Sequence, residues 1–305
     1  MTSPRRAVIG ARLAGVPSSA GRAELGALVA GVVAGQPEAT LGLDLGGPDR
    51  PTRDEVWSAL AGGWGVDATP RTVTIAVERT LAAAGVVADC LADVCRTGGS
   101  VALATGRPAS MLGCYQELAH LLTAAGATVL RSNAPAHGSA AGAERSPWSI
   151  WWVGGVAVAT DGRALRADDG ALRTDHRSAL AGDWLFGVGR PDLVIADRGF
   201  AAAAVAAGHR TVAPADVDAV ALEVVARRGA PVTIVPLDCG RPPEAYAPLV
   251  ALLMARVAGL EAGPGPGGPS GPARPSGGDP RTGRPPHSTT PPPGAYAAPE
   301  SGGEG

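Results

Sequence analysis

Short apolar runs alternate along the chain with longer stretches in which apolar residues recur every three or four positions. Residues 101–104 are such a run and predict a buried strand, and the stretch that follows, as far as Gly126, has helical spacing. Its apolar positions are Met111, Tyr115, Leu118 and Leu122. The turn Thr105-Gly106-Arg107-Pro108 separates the two, and Pro108 suits the first helical position because its missing N–H costs nothing there. We therefore predict a strand, a tight polar turn and a helix whose free N–H groups favour an anion.

The same alternation continues on both sides of this unit. Further strands are predicted at residues 40–43, 128–130, 150–159, 192–196, 211–213 and 232–237. Further helices are predicted at residues 22–35, 52–64, 77–95, 172–186, 200–207 and 246–260, with another through Leu222 and Val225. Residues 131–147 have no period, so we predict a surface loop that is either a lid or binding segment or a plain insertion.

Strands that alternate with helices at this spacing predict an α/β fold, a doubly wound and mostly parallel sheet with helices on both faces. We expect one domain over residues 1–260, in which the first part, about 65 residues, could alternatively form a small helical appendage. Residues 261–305 contain 12 Pro and 12 Gly, and they bury too little apolar surface to offset their ordering entropy. This Pro/Gly-rich tail is therefore predicted to be disordered.

Polar residues follow the predicted strands in a repeated pattern. Three strand ends read Asp-x-Gly, and a fourth reads Thr105-Gly106. The three are Asp44-Leu45-Gly46, Asp197-Arg198-Gly199 and Asp238-Cys239-Gly240. Because the carboxyl ends of parallel strands share one edge of a sheet, we expect these turns to meet over one crevice. Asp and Gly are also ordinary turn and cap residues, so the pattern is equally typical of a fold that has no site there.

If the turns meet, they supply groups that phosphate chemistry uses. Asp44, Asp197 and Asp238 are the predicted ligands of Mg²⁺, which prefers carboxylate oxygens and polarises a phosphoryl group. Asp44, Asp197 and His176 are the predicted catalytic residues. The predicted substrate-binding residues, chosen because arginines and a helix start bind phosphate oxygens, are Thr105, Gly106, Arg107 and Arg198.

Several polar and aromatic residues have two interpretations. His176 lies in the polar run at residues 174–177 and is either a general acid or base or a surface residue at a helix start. Asp216 and Asp218 either ligate a metal or cap the following helix. The Trp151-Trp152 pair is expected to pack in a core or hairpin rather than to stack against a base.

Composition excludes several classes of protein. The net charge is −2, and the sequence has no basic stripe suited to nucleic-acid phosphates. All 26 basic residues are Arg, which excludes a Schiff-base lysine and a phosphate-loop lysine. The four cysteines lack disulfide or metal-site spacing, and no apolar stretch is long enough for a membrane span. We expect a cytoplasmic protein that acts on a small phosphorylated metabolite, with neither nucleic acid nor membrane as partner, and the oligomeric state stays open.

Two runs carry a resemblance to known families. ALATGRP and the later DLVIADRGFAAAAVAAGHRTVA resemble the threonine and acidic motifs of haloacid-dehalogenase-like phosphatases, which implies a doubly wound α/β sheet. Asp44-Leu45-Gly46 lacks the second acid of that superfamily's Asp-x-Asp motif, and the chain has no Lys for its motif lysine. Covalent aspartyl catalysis of that type is therefore not implied.

A second resemblance covers roughly residues 20–255. The chain is similar to a group of actinobacterial proteins named phosphatases, through its TG-x-P turn, its late Asp-x-Gly and its Pro-Leu-Asp strand end. In that group His is common where this sequence has Arg107 and Arg198. The resemblance implies phosphatase activity. Because arginine replaces histidine at these two positions, it does not imply metal binding or acid catalysis by Arg107 and Arg198.

Taken with the strand-end residues, these features predict a phosphatase that hydrolyses a small phosphate ester, such as a sugar or nucleotide phosphate, with the assistance of Mg²⁺. The alternative is a non-catalytic nucleotide or sugar-phosphate binding protein of Rossmann-like fold, since the second acid and the lysine are missing. A third hypothesis is an interaction protein whose Pro-rich tail recruits partners.

Overall fold

The computed structural model describes residues 3–47, 50–66, 72–131, 136–137, 149–160, 185 and 187–259. The chain divides into a compact unit, Met1–Ala262, and a second unit, Gly263–Gly305, which contains none of the described residues. Every described helix and strand belongs to the first unit.

A mostly parallel sheet lies at the centre of this unit. The strands of the chain are β1 (Pro17–Gly21), β2 (Thr72–Thr74), β3 (Ser100–Thr105), β4 (Thr128–Val129), β5 (Ala136–His137), β6 (Ser149–Val153), β7 (Val156–Thr160), β8 (Leu193–Ala196), β9 (Thr211–Ala215) and β10 (Val232–Pro236). The sheet has the order β10-β9-β8-β3-β7-β6-β5, with β4 paired to the beginning of β3. The pairs from β10 to β7 are parallel, whereas β7, β6 and β5 pair antiparallel. β1 and β2 form a separate antiparallel pair.

Helices precede the sheet and connect its strands. They are α1 (Pro4–Gly10), α2 (Arg22–Ala34), α3 (Pro37–Thr40), α4 (Arg53–Trp64), α5 (Val77–Thr97), α6 (Pro108–Ala124), α7 (Arg198–Ala206), α8 (Val220–Arg227) and α9 (Ala247–Val257). α4 has a side-chain N-cap, because the Thr52 hydroxyl accepts a hydrogen bond from the Glu55 N–H at 3.2 Å. Single 3₁₀ turns span Val217–Ala219 and Pro243–Tyr246.

The sheet is covered on both faces, as predicted. Ile195, Val212 and Val235 point from three neighbouring strands towards α5, α6 and α9 on one face. The connection through α6 runs from β3 towards β7, whereas those through α7 and α8 run from β8 towards β10. Because crossovers between parallel strands are right-handed, α7 and α8 lie on the face opposite to α6. There α8 packs against α4, whose buried Trp64 donates its indole N–H to the Ala215 carbonyl at 2.9 Å. The N-terminal helices thus share the core of the sheet.

The direction of the connections reverses between β3 and β8. From β3 the chain passes through α6 towards β4 and β7, whereas from β8 it passes through α7 and α8 towards β9 and β10. In open α/β sheets such a reversal leaves a crevice at the carboxyl ends of the two strands. The doubly wound fold predicted from the sequence is confirmed. A binding site is therefore expected at the carboxyl ends of β3 and β8.

Some local predictions are wrong. Residues 40–43 are not a strand, because α3 ends at Thr40 and the chain turns through Leu41 (φ +56°) and Gly42 (φ +77°). The strand predicted at residues 150–159 is two strands joined by Gly154-Gly155, both at positive φ. Trp151 and Trp152 do lie in this hairpin, as predicted, but the side chain of Trp151 is 46% exposed and is not in the core. The helix predicted at residues 172–186 lies outside the described residues apart from residue 185.

Candidate functional site

The turns after β3 and β8 are joined by one buried carboxylate. Thr105 Oγ1 donates a hydrogen bond to Asp197 Oδ2 at 2.6 Å, and the Gly106 N–H donates to Asp197 Oδ1 at 2.8 Å. Asp197 is only 1% exposed, and burial raises its pKa, while the hydrogen bond from Thr105 and the charge of Arg107 act in the opposite direction. Both carboxylate oxygens are therefore occupied by the neighbouring turn, and the link fixes the two strand ends together.

Gly106 and Arg198 allow the two turns to approach closely. A Cβ on Gly106 would lie 3.3 Å from the Cβ of Arg198 and 3.4 Å from Asp197 Oδ1, which is tighter than ordinary side-chain contact. Arg198, the first residue of α7, has φ +50°, which is uncommon for a residue with a side chain and costs about 1 kcal/mol. This strained backbone directs the Arg198 side chain back over the strand ends.

Arg107 and Arg198 meet at a single carboxylate oxygen. Arg107 Nη2 lies 2.6 Å from Asp218 Oδ2, and Arg198 Nη2 binds the same oxygen. The side chains of the two arginines are only 14% and 10% exposed, whereas Asp218 is 39% exposed. The other oxygen of Asp218 is buried and accepts no hydrogen bond from the described residues. Two guanidinium groups are thus held side by side at the sheet edge, with one oxygen between them.

The two arginines differ in their electrostatic surroundings. Burial lowers the pKa of Arg198, the charge of Asp218 opposes this, and the charge of Arg107 adds to the lowering. Burial also acts to lower the pKa of Arg107, but the nearby carboxylates, among them Asp218 and Asp197, raise it overall. Both groups stay protonated, because the pKa of a guanidinium lies far above neutral pH. The site therefore keeps two positive charges close together.

The neighbouring strands add two more acids and a third arginine. Asp216 directly follows β9, and its Oδ1 accepts a hydrogen bond from the Val217 N–H at 2.7 Å. Asp238 follows β10, with Oδ1 accepting from the Gly240 N–H at 2.9 Å and Oδ2 lying 2.5 Å from Arg241 Nη2. The pKa of Asp216 is raised to about 6 by burial first and then by the charges of Asp218 and Asp238. Polar groups from four adjacent strand ends therefore share one edge of the sheet.

The structure brings together all four residues predicted for substrate binding, but it does not assemble the predicted metal site. Thr105, Gly106, Arg107 and Arg198 lie around Asp197 and Asp218, as described above. Asp44 is exposed, follows the turn after α3 instead of a strand, and accepts a hydrogen bond from the Gly46 N–H at 2.9 Å. Its prediction as a strand-end residue is therefore wrong. His176 lies outside the described residues.

The residues present do not fit a three-carboxylate Mg²⁺ centre. Within the described ranges, no three His, Cys, Asp or Glu side chains are grouped so that they could hold a metal ion. The oxygens of Asp197 are engaged by Thr105 and Gly106, and those of Asp238 by Gly240 and Arg241. A cation at Asp44, Asp197 and Asp238 would have to displace these hydrogen-bond and ion-pair partners, and the three carboxylates are not grouped together.

Sequence reasoning gave too little weight to the Asp216-Val217-Asp218 turn and overlooked Arg241. The sequence predicts either capping or metal binding for the two aspartates, and Asp216 does cap the following 3₁₀ turn. The role of Asp218 depends on side-chain contacts to residues 111 and 20 positions away, which have no sequence signature. Arg241 stands three residues after Asp238, so its pairing with that carboxylate was visible in principle.

A comparison with protein families identifies the chain. A family model described as Phosphatase matches residues 3–261. The chain belongs to this phosphatase family. The match covers the sheet, all described helices and every residue of the site, so the strand-end turns lie within the matched region. No curated protein matches the chain.

The family match does not address the predictions about membrane association, origin and cellular location. No helix within the described part of the chain is long and apolar enough to cross a membrane. The partial resemblance to haloacid-dehalogenase-like phosphatases, an actinobacterial origin and a cytoplasmic location stay predictions, because the family match concerns none of them.

Proposed function

We propose that this member of the phosphatase family hydrolyses a small phosphate ester, such as a sugar or nucleotide phosphate, at the carboxyl ends of β3 and β8. The observation that carries the proposal is the shared contact of Arg107 and Arg198 with Asp218 Oδ2. Two guanidinium groups that converge on one carboxylate oxygen are arranged to bind a phosphoryl oxygen, since arginine binds carboxylate and phosphate in the same geometries. Asp218 thus occupies the position that the ligand's phosphoryl oxygen takes.

The arginines have a direct role in such a reaction. As water attacks phosphorus and the bond to the ester oxygen breaks, negative charge accumulates on the phosphoryl group and the leaving oxygen. Positive groups held in place before the reaction stabilise this charge, and they are most effective where burial limits screening by water. Arg107 and Arg198 are largely buried and meet that requirement. The products are an alcohol and inorganic phosphate.

Thr105, Gly106 and Asp197 support the arginines instead of reacting themselves. Thr105 Oγ1 accepts a hydrogen bond from the Arg107 N–H at 2.9 Å and donates one to Asp197, so it fixes the backbone from which Arg107 projects. Asp197 precedes Arg198, and its carboxylate is too buried and too fully hydrogen-bonded to bind a metal or activate water. We therefore assign the three residues a positioning role, and no step of the proposed reaction passes through Mg²⁺.

The same burial of Asp197 favours a second candidate function. A residue predicted to be catalytic that serves only as a structural link is what a non-catalytic nucleotide or sugar-phosphate binding protein would contain. In that case the arginines bind the phosphate group, but no ester bond is broken. The two candidates differ in turnover and not in the anion that they bind.

Release of inorganic phosphate from a panel of sugar and nucleotide phosphates tests both candidates. We expect turnover by the wild-type protein, and a reduction of kcat/KM by about 100-fold to 1000-fold in Arg107→Gln and Arg198→Gln, as for other groups that stabilise a transition-state charge. Arg256→Gln is the matched control, because Arg256 lies exposed in the last turn of α9 and pairs with exposed Asp89 of α5. Stabilisation by inorganic phosphate without any turnover would favour the binding protein.

A further inference from the structure

Asp216 lies in the middle of the row of polar strand ends. It directly follows β9, and β9 is paired with β8 on one side and with β10 on the other. Asp197 therefore lies at one neighbouring strand end and Asp238 at the other. The 3₁₀ turn that begins after Asp216 also carries Asp218, the partner of the two arginines. A single short turn thus places one carboxyl group at the anion position and a second one beside it.

The oxygens of Asp216 are not fully engaged, in contrast to those of its neighbours. Oδ1 accepts the hydrogen bond from the Val217 N–H, and Oδ2 accepts none from the described residues. Since Oδ2 is not among the fully buried side-chain oxygens without a partner in the described part of the chain, it is accessible to solvent. Asp197, by comparison, has both oxygens filled, and Asp218 Oδ2 is held by two arginines.

Charged side chains from its own turn and from the neighbouring elements surround Asp216. Asp218 on the same turn, Asp238 at the end of β10 and Arg107 at the start of α6 all act on its carboxyl group, and the thiol of Cys239 lies close enough to be affected by it. Burial and the two aspartates favour the protonated form, whereas Arg107 favours the charged form. A bound phosphate dianion would add negative charge and favour the protonated form further.

We propose that Asp216 is the catalytic acid that protonates the leaving oxygen of the ester bound by Arg107 and Arg198. This inference rests on the proposed phosphatase function. Asp216 supplies what the two arginines cannot, since a guanidinium does not give up its proton at neutral pH. It is also the one carboxyl group in the described part of the site that combines an oxygen free of hydrogen bonds with surroundings that favour its protonated form.

The proposed step balances without a further reagent. Water attacks phosphorus as the bond between phosphorus and the ester oxygen breaks, and the proton of the Asp216 carboxyl group passes to that oxygen to give the alcohol. One proton of the attacking water then returns to the Asp216 carboxylate, and the phosphoryl group leaves as hydrogen phosphate. Asp216 ends the cycle in the form in which it began.

A comparison of two esters tests the role of Asp216 in the full-length protein. The departing p-nitrophenolate is stable without a proton, whereas glycerol 2-phosphate releases an alkoxide that requires one. We expect Asp216→Asn to lower kcat for glycerol 2-phosphate by about 100-fold to 10 000-fold, the usual contribution of a general acid, and to change kcat for p-nitrophenyl phosphate by less than about 5-fold. Asn keeps an oxygen for the Val217 N–H, and Asp89→Asn, at an exposed position, is the matched control.

Each outcome of this comparison is decisive. Equal losses with both esters would show that Asp216 only holds the site together, and unchanged rates with both would show that it takes no part, so either result overturns the inference. If the wild-type protein hydrolyses neither these two esters nor any member of the panel of sugar and nucleotide phosphates, the proposed function itself fails, whatever Asp216 does. Should Asp216→Asn not fold, the wild-type pH profile decides, because the acid predicts that kcat/KM for glycerol 2-phosphate falls above about pH 6 while that for p-nitrophenyl phosphate does not.

Discussion

Replacing Thr105 by Val removes a buried hydroxyl while keeping the shape of the side chain. The hydroxyl is the donor to Asp197 Oδ2 at 2.6 Å and the acceptor from the Arg107 N–H at 2.9 Å. Valine can do neither, and Thr105 is fully buried, so water cannot replace the lost partner. The substitution therefore leaves one carboxylate oxygen and one backbone N–H without a hydrogen bond.

The size of the effect follows from these two groups. A hydrogen bond to a charged acceptor contributes about 1.5–3 kcal/mol, and a buried N–H left without a partner costs about 1–3 kcal/mol. We expect Thr105→Val to reduce the free energy of unfolding by about 4 kcal/mol in total. Thr105→Ser keeps both hydrogen bonds and loses only one methyl group, which costs about 1 kcal/mol. We thus expect Thr105→Ser to be more stable than Thr105→Val. Packing alone would predict the reverse, since Val preserves the side-chain volume and Ser does not.

Urea unfolding followed by circular dichroism measures both variants. The midpoint should fall much further for Thr105→Val than for Thr105→Ser, with little change in the slope of the transition. Because typical domains have about 5–15 kcal/mol of stability, both variants should remain folded in the absence of urea. If Val proves as stable as Ser, the hydroxyl does not hold the two turns together, and our explanation of how Arg107 is positioned is wrong.

Two further predictions concern stability. The pKa of Asp216 is raised from 3.8 to about 6 in the folded protein, so the native state binds more protons than the unfolded state between these values, and stability falls as the pH rises through this window. Asp216→Asn removes this pH dependence, and its stability should increase by about 3 kcal/mol relative to wild type between pH 4 and pH 7. Urea unfolding at each pH measures the difference. Trp64→Phe removes the hydrogen bond to Ala215 and leaves a small void in the core, and it should lower the free energy of unfolding by about 2 kcal/mol; a change within about 0.5 kcal/mol would contradict this contact.

The main features of the fold could be predicted from the sequence because they depend on local patterns. The strand, turn and helix from Ser100 to Ala124 follow from an apolar run, a Thr-Gly turn and Pro108 at the first helical position. The strand predicted at residues 40–43 failed for a local reason as well. Leu41, Leu43 and Leu45 alternate with other residues and are buried, as in a strand, but Leu41 and Gly42 have positive φ and turn the chain. Burial every second residue is therefore insufficient evidence for a strand when a glycine interrupts it.

The site could be predicted only as far as the chain connectivity determines it. Parallel strands must end at one edge, so the approach of Thr105 to Asp197 followed from the predicted fold, although they are 92 residues apart. Which oxygen each arginine binds depends on side-chain conformations across that edge, and no periodicity encodes them. The Asp-x-Gly pattern was a poor guide to role, because in Asp44 and Asp238 it forms the same local bond from a glycine N–H to the carboxylate, whatever the surroundings.

The balance of charge at the strand ends connects the anion position with the proposed acid. Three arginines, at positions 107, 198 and 241, face four aspartates, at positions 197, 216, 218 and 238. If all four were ionised, the site would carry a net negative charge and would repel a phosphate dianion. Protonation of one carboxyl group reduces this repulsion, and its cost is lowest at a residue where burial already favours the protonated form. Asp197 is buried behind the turns, so Asp216 is the group whose proton faces the ligand, and the protonation that favours binding of the substrate is also the one that its leaving group requires.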